Sequence, residues 1–359
     1  MLEERDNQVE KITVYDYPAQ GSTEIKPYCV GKYALSMEDG VAVSKTGLVP
    51  QTNTTRASFR NNARRIGANF GLLDWRIFDL RMLYLVEYAN YNSQTMVGNG
   101  NTNLATASAQ ATQSDVNRII VNSVPTGLYV GKSISIGNAS GNYSVLRDRT
   151  ITNIEDYSDE TITNKKAIYF DGAAANITTG NVIWGSPQKG GDLDSFGNTS
   201  GCLVNDSYHS VTWRGIDNPW GNVWQHVDGI SIDNYLAYVC YDPTLYDNDV
   251  FTNPYLPLSY TNATINYSYI KKVGYDENNP FIAMPTVVGG SSTTYICDNY
   301  WCNSDKRIMY TGGSCSSHEV KSGFFSTFCG NPSTIMSWTL RSSPNNQKRT
   351  IIGSLFLAR

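Results

Sequence analysis

Few residues of this chain could carry out nucleophilic catalysis. The three histidines are His209, His226 and His318, and only His318 has a cysteine nearby, Cys315, three positions earlier. A catalytic cysteine–histidine pair needs contact between thiol and imidazole, and a third group that orients the ring. Spacing along the chain establishes neither requirement, so we do not interpret Cys315 and His318 as a catalytic dyad.

Patterns of metal ligands are equally sparse. The seven cysteines form no Cys-x-x-Cys pair and have no histidine partners at zinc spacing, which is typical of reduced thiols in a protein made in a cytosol. Acidic side chains that could bind calcium occur in two stretches, Asp192/Asp194 and Asp242/Asp247/Asp249, but neither has the spacing of a known calcium loop. We interpret them as solvated loop carboxylates and predict no metal or other cofactor.

The composition favours binding over catalysis. Charged residues make up 17% of the 359 positions, against a usual share of about 25%, and Tyr, Asn, Ser, Thr and Gly fill the difference. Antibody loops use the same residues, because tyrosine offers rigid contact area and small polar residues adapt their hydrogen bonds. The net charge of −4 disfavours nucleic acid as a partner. We expect no membrane insertion, since no stretch approaches the roughly 18–20 apolar residues that span a bilayer, and no signal-peptide core is seen.

Two helices are predicted before residue 100. Thr54 or Thr55 is a candidate N-cap for a helix through TRASFRNNARRIG that ends near Gly67. Asp74 is the candidate cap of a second, mostly buried helix through WRIFDLRMLYLVEYANYNSQ. Its apolar stripe consists of Trp75, Phe78, Met82, Leu85 and Val86, and is widened by Ile77, Leu83, Tyr84 and Tyr88. Its polar face consists of Arg76, Asp79, Arg81 and Glu87.

The sequence changes character after Gly98. Residues 101–117 are small, polar and typical of a linker, and short β-type runs follow, separated by turn residues: RIIVNSV, YVGKSISIG, YSVLRDRTITNIE, KAIYFDG and ANITTGNVIWG. Strands at this spacing predict a small all-β barrel. We predict that 101–200 is a β module inserted into a larger domain, 31–100 and 201–359, which follows an N-terminal arm, 1–30.

The most specific string is WRGIDNPWGNVWQHVDG, residues 213–229, which places three tryptophans within twelve positions. Tryptophans supply buried area to a fold with little regular structure, and glycines permit its turns. Arg214 and Asn218 are suited to satisfying loop carbonyls. We therefore interpret the motif as scaffold, built by Trp213, Arg214, Asn218, Trp220, Gly221, Asn222 and Trp224.

The GNxW core of this string resembles the signature of the formylglycine-generating-enzyme branch of the C-type lectin fold. The longer RGIDNPWGNVW run followed by VDG is still more similar to lectin-like domains of phage tail and receptor-binding proteins. The stretch from KYALS to NYNSQ resembles the first strand and two helices of that family, and the tail from DNYWCNSDKRIMYTGG to IIGSLFLAR resembles its closing strands. The resemblance implies an α+β fold: a C-type-lectin-like domain with two helices and a Trp-rich antiparallel sheet, interrupted by the small all-β barrel.

The resemblance does not imply an enzyme. The formylglycine-generating members bind copper through two closely spaced cysteines after a GGS motif. Here Gly312-Gly313-Ser314 is present, but Cys315 follows at once, Val320 stands at the next relevant position, and Cys329 lies too far along. Because the departure falls on the catalytic pair, we predict no oxidase activity.

In phage members of the family, the C-terminal segment displays ligand-contacting residues, and in some, such as proteins like the major tropism determinant, a retroelement diversifies them. We take as candidate ligand-binding residues those whose types fit such diversification of an exposed surface. They are Tyr300, Cys302, Cys315, Ser316, His318, Ser326, Phe328, Cys329 and Ile335. The alternative is that these are ordinary core and loop residues of an undiversified phage protein. Both interpretations stay open on one sequence.

The sequence therefore predicts a phage receptor-binding or tail-tip attachment protein. Its expected partners are a bacterial cell-surface protein or glycan and other tail proteins, and its expected location is the virion after assembly in the host cytoplasm. A homotrimer is one candidate assembly, although no coiled-coil heptads occur. The alternatives are a structural or decoration protein of the virion and, third, an oxidase of the formylglycine-generating type.

Overall fold

The computed structural model describes residues 14–15, 27–68, 70–247, 250–264, 267–315, 322–330, 351–353 and 355–358. These residues form mostly β-sheet with few helices, and the sheet curls as a half-barrel. This content is compatible with the predicted α+β class and also with a mainly β class. In the part of the chain that the structure describes, no helix is long and apolar enough to cross a membrane.

The part of the chain that the structure describes contains three α-helices, which lie close together in the sequence: α1 (Arg56–Arg64), α2 (Ile77–Tyr88) and α3 (Ser93–Met96). The prediction of α1 is confirmed, because the hydroxyl of Thr55 accepts a hydrogen bond from the main-chain N–H of Ser58 and so satisfies the first turn. The prediction that Asp74 caps α2 is wrong by two residues. Asp74 accepts from the N–H of Arg76, which holds the N-cap position, and α2 ends where Ala89 turns left-handed.

The predicted faces of α2 are also wrong in part. Met82 and Val86, assigned to the buried stripe, are 46% and 79% exposed. Arg76, Asp79 and Arg81, assigned to the polar face, are buried. Arg81 is buried because it donates to the main-chain carbonyls of Phe324 and Ser326, and Arg76 because it pairs with the carboxylate of Asp74.

Five strands of the described residues precede residue 100: β1 (Val14–Tyr15), β2 (Pro27–Val30), β3 (Ser36–Glu38), β4 (Val41–Val43) and β5 (Phe70–Leu72). Eight strands follow: β6 (Thr106–Ser108), β7 (Gln113–Val116), β8 (Arg118–Val121), β9 (Ser133–Gly137), β10 (Leu146–Tyr157), β11 (Lys165–Phe170), β12 (Ala175–Ile177) and β13 (Val182–Gly185). Each run predicted as β between 118 and 185 contains a strand. The linker expected at 101–117 instead carries β6 and β7.

The middle strands form one six-stranded sheet in the order β6-β13-β9-β10-β11-β8. Ala109, just after β6, forms a bridge with Val121 of β8 and so connects the two outer strands. The sheet encloses its own apolar cluster, whose fully buried members all lie between Ala105 and Ile183. The main-chain N–H of Gly185 donates to the carbonyl of Ala105 at 2.9 Å, so the segment begins and ends at the same place.

The remaining strands are β14 (Gly201–Cys202), β15 (Val211–Trp213), β16 (Ile216–Asp217), β17 (Trp224–Asp233), β18 (Leu236–Val239), β19 (Leu256–Thr261), β20 (Ser268–Val273), β21 (Pro285–Val288), β22 (Asn299–Cys302), β23 (Lys306–Thr311), β24 (Thr327–Gly330), β25 (Ile351–Gly353) and β26 (Leu355–Ala358). Nine of them form the largest sheet, in the order β19-β18-β17-β23-β24-β22-β20-β21, with β25 beside β17. The expected antiparallel sheet is thus mixed, because β17–β25 and β22–β24 are parallel pairs. Near the two ends of the chain, β2 and β5 pair with β26.

Candidate ligand-binding cavity

The tryptophan motif lies inside the protein. Trp213, Trp220 and Trp224 are at most 2% exposed, and the indole N–H of Trp220 donates to the carbonyl of Gly98 at 2.9 Å. Arg214 is exposed, and its guanidinium pairs with the Glu87 carboxylate at 2.7 Å. The expectation that Arg214 satisfies loop carbonyls is therefore wrong, since its partner is a charged side chain of α2.

The polar residues of the motif hold separate stretches of chain together. Asn222 accepts hydrogen bonds from the N–H of Gln188 and the amide of Asn101, and donates to the carbonyl of Gln188. Asn218 donates to Asp217, and its own carbonyl accepts from Gln225. A Cβ at Gly221, whose φ is +75°, would meet the main-chain nitrogen of Asn101 at 2.8 Å. These contacts are what a scaffold requires.

The expectation of an exposed C-terminal surface is wrong for the six candidate residues that the structure describes. These side chains are at most 1% exposed: Tyr300, Cys302, Cys315, Ser326, Phe328 and Cys329. For the four residues on β22 and β24 the reason is that these are inner strands of the nine-stranded sheet, and both faces of that sheet are covered. Phe328 packs against Trp224 on one face, and Tyr300 and Cys329 belong to the main core on the other. Ser316, His318 and Ile335 lie outside the described residues.

The described histidines and Cys315 do not form a catalytic site. His209 contacts the Asp206 carboxylate and stacks on Tyr129, whereas burial lowers the pKa of His226 to about 3. Burial raises the pKa of the Cys315 thiol to about 12, so this group stays protonated. No group of three or more metal-ligating side chains occurs within the described ranges, and Asp249 lies outside them.

A cavity of about 400 Å³ lies between α1, β5, the middle of β17 and the loop after β18. A volume of about 300–1,000 Å³ is usual for small-molecule sites. The described lining comprises Arg60, Arg64, Ala68, Phe70, Gly71, Leu72, Asp74, Arg76, Asp228, Pro243, Thr244 and Tyr246. Sequence reasoning missed this site, although Arg60 and Arg64 at helical spacing and the Asp74-x-Arg76 pair were visible signals.

One side of the cavity is a buried guanidinium–carboxylate fork. Arg60 donates from Nε and Nη2 to the two carboxylate oxygens of Asp228, at 2.7 and 2.6 Å. Burial alone would raise the pKa of Asp228, but the bonds and charge of Arg60, together with the charge of Arg56, bring it below its usual value. The pair therefore stays ionised and rigid, as bidentate geometry requires.

A second pair lies beside the first, because Asp74 and Asp228 are bridge partners on parallel stretches of backbone. The carboxylate of Asp74 accepts from the guanidinium of Arg76 and, at 2.9 Å, from the hydroxyl of Tyr246. Burial raises the pKa of Asp74 despite the attraction of Arg76. Both carboxylates of the lining are thus already engaged by groups of the protein.

Arg64 differs from the other two arginines. Its Nη2 donates to the main-chain carbonyl of Pro243 at 2.7 Å, and its side chain is half-buried. Among the described residues, no carboxylate pairs with it. Phe70, Leu72 and Pro243 supply apolar surface alongside. The cavity thus offers fixed donors, engaged carboxylates and an apolar wall, an arrangement suited to non-covalent binding of a polar ligand.

The chain matches no model of a known protein family, and no curated protein sequence matches it.

Proposed function

We propose that this chain is a phage receptor-binding or tail-tip attachment protein, which binds a bacterial surface molecule non-covalently through the cavity between α1, β5 and β17. The observation that carries the proposal is the cavity itself, with its two fixed arginine–aspartate pairs. Rigid polar groups beside apolar surface orient a ligand at low entropic cost. In this proposal the ligand binds in the cavity and not on the C-terminal segment, whose described candidate residues are buried.

We further propose a C-type-lectin-like fold for the two blocks outside the middle sheet. The support is the order of elements: the helices α1 and α2 followed by the short α3, then the buried tryptophan motif, then a sheet that includes the last strands. The pairing of β2 and β5 with β26 joins the two blocks. The attribution to phage tail proteins rests on the resemblance of the tryptophan motif.

A structural role in the virion is the second candidate function. It is favoured by the apolar side chains that α2 exposes, since Val86 is 79% and Met82 46% accessible. Apolar surface of this kind often marks a contact with another protein. In this alternative the lectin-like domain contacts tail proteins and not the host.

The test is adsorption of purified, labelled protein to a panel of bacterial isolates, followed by variants of the cavity. A Cβ at Gly71, which lines the cavity, would meet no atom within 4 Å, so Gly71→Leu fills the space with little strain. We expect Gly71→Leu to lower adsorption to a binding isolate at least tenfold at an unchanged melting temperature. Gly71→Ala, which leaves most of the volume open, is the matched control.

Two results would contradict the proposal. Absence of adsorption to every isolate would favour the structural role. Full adsorption by a folded Gly71→Leu variant would show that the receptor binds elsewhere on the protein.

A further inference from the structure

We infer that the cavity recognises a carboxylate-bearing saccharide of the uronic-acid class, and that Arg64 is the residue that contacts its carboxylate. This inference rests on the proposed function, because it takes the cavity to be the ligand site. It adds the chemical class of the ligand and the residue that selects it.

The first step concerns the charges that are already paired. Asp228 receives both donors of the Arg60 fork, and Asp74 receives Arg76 and Tyr246. Asp247 lies near Arg60 and adds negative charge on that side. The ligand therefore meets two neutralised pairs, and neither arginine of those pairs is the primary contact for an anion.

The second step concerns Arg64, which lines the same cavity from the last turn of α1. Its guanidinium carries five N–H donors, and its bond to the carbonyl of Pro243 neutralises none of its charge. No carboxylate of the described residues pairs with it. A planar guanidinium matches a carboxylate through two parallel hydrogen bonds, so a carboxylate is the group that completes this side of the cavity.

The third step selects a monoanion over a phosphate. Arg56 lies 3.7 Å from Asp228 and Asp247 lies near Arg60, so the four arginines of this region exceed its three aspartates by one positive charge, which balances one negative charge. A phosphate dianion would bring an excess negative charge close to Asp74 and Asp228, and repulsion between like charges in a partly buried site is costly.

The fourth step concerns the body of the ligand. Phe70, Leu72 and Pro243 supply apolar surface for the C–H face of a sugar ring. Thr244 and Tyr246 also line the cavity; their hydroxyls donate to Asp242 and Asp74 and can accept a hydrogen bond from a sugar hydroxyl. The volume of about 400 Å³ holds a small saccharide unit. A ligand with one carboxylate and several hydroxyls fits these groups.

The experiment is calorimetric titration of the purified full chain with sodium glucuronate and sodium galacturonate. Methyl glucoside is the neutral comparison, and glucose 1-phosphate is the phosphate comparison. We expect at least one uronate to bind at least tenfold more tightly than methyl glucoside and than glucose 1-phosphate.

Variants of α1 test whether Arg64 contacts the carboxylate of the uronate. Arg64→Gln should weaken uronate binding at least tenfold without changing the affinity for methyl glucoside. Arg64→Lys, which keeps the charge but loses the fork, should bind with intermediate affinity, and it replaces the glutamine variant if that protein does not fold. The matched control is Arg65→Gln, because Arg65 is the exposed neighbouring residue at the end of the helix.

Binding of neutral sugar and uronate with equal affinity would overturn the inference, and so would tighter binding of the phosphate. An Arg64→Gln variant with unchanged uronate affinity would overturn the assignment of Arg64. These results are independent of the proposed function: a protein that adsorbs to cells but ignores uronates refutes only the ligand class. A protein that binds uronates but no isolate refutes only the attachment role.

Discussion

At the scale of single residues, buried polar side chains carry much of the organisation. Asn222 connects the tryptophan motif to the loop at Gln188 and to Asn101, which lie 34 and 121 positions away along the chain. Lys132 is 1% exposed and donates to the side chain of Asn101 and the carbonyl of Tyr208. Such bonds satisfy buried polar groups of distant segments, and a buried group left unpaired costs roughly 1–3 kcal/mol.

Asp217 makes stability depend on pH. Its buried carboxylate accepts from the N–H of Gly191 and the amide of Asn218, and burial, reinforced by Asp192 and Asp194, raises its pKa to about 7. The folded protein therefore holds a proton that the unfolded chain releases near its ordinary pKa of 3.8. Between these two values the folded state binds more protons, so the free energy of unfolding falls as pH rises.

We expect the wild type to lose stability relative to Asp217→Asn as the pH rises from about 4 to about 7. The asparagine cannot ionise, so the substitution itself changes the free energy of unfolding by an amount that does not depend on pH. His226 acts in the opposite direction over part of this window, because its pKa is lowered by burial, but it is present in both proteins and cancels. Urea unfolding of both proteins across this range measures the difference, and a difference that does not change with pH would contradict the assignment.

At the scale of elements, the side of α2 that faces the protein interior carries polar side chains. Arg81 donates to the main-chain carbonyls of Phe324 and Ser326 and to the hydroxyls of Thr311 and Thr327. Burial lowers its pKa to about 9. One side chain of α2 thus fixes the turn that precedes β24 against the end of β23.

We expect Arg81→Met to lower the free energy of unfolding by about 2 kcal/mol or more, because the buried carbonyl of Phe324 loses its donor and that of Ser326 keeps only the hydroxyl of Thr311. Methionine fills much of the volume of the arginine side chain, so the loss of stability does not come from a cavity. Val86→Ala on the same helix should change it by less than about 0.5 kcal/mol, since Val86 is exposed. Chemical denaturation of the three proteins checks both values; equal losses for the two variants would show that the inner face of α2 is misassigned.

The elements that could be predicted are those whose signals are local. The cap at Thr55 and the β runs between 118 and 185 depend on neighbouring residues, and the structure contains them. The cavity and the inner face of α2 could not be predicted, because their partners are remote: Arg60 and Asp228 are 168 positions apart, and Arg81 and Phe324 are 243 apart. The resemblance implied an exposed C-terminal segment, and alternation along a strand could not correct this for Phe328 and Cys329, because it does not reveal whether one face or both are covered.

At the scale of the whole molecule, the middle sheet has a core of its own. All thirteen buried members of its apolar cluster come from residues between 105 and 183. Its contacts with the rest of the chain include polar ones at Lys132 and Gln188. The boundaries of the inserted module, 101 and 200, remain a prediction. A main-chain hydrogen bond between Gly185 and Ala105 joins the two ends of the middle sheet.

We expect residues 104–186, produced alone, to fold and to unfold cooperatively, because all thirteen buried members of the apolar cluster lie within them and, of the described residues outside, only Tyr208 packs against it. Lys132 becomes solvated in this fragment and keeps its charge. Circular dichroism during heating measures the transition. A gradual change without a transition would show that the middle sheet depends on the surrounding blocks.

The burial of the cysteines has a practical consequence for following motions of the protein in solution. Among the described thiols, Cys240, Cys297, Cys302, Cys315 and Cys329 are buried and unbridged, whereas Cys202 is partly accessible. A thiol-specific reagent therefore reacts at the five inner positions only after the surrounding strands open. Mass spectrometry of labelled peptides then gives the opening free energy of several points in the core without any introduced probe.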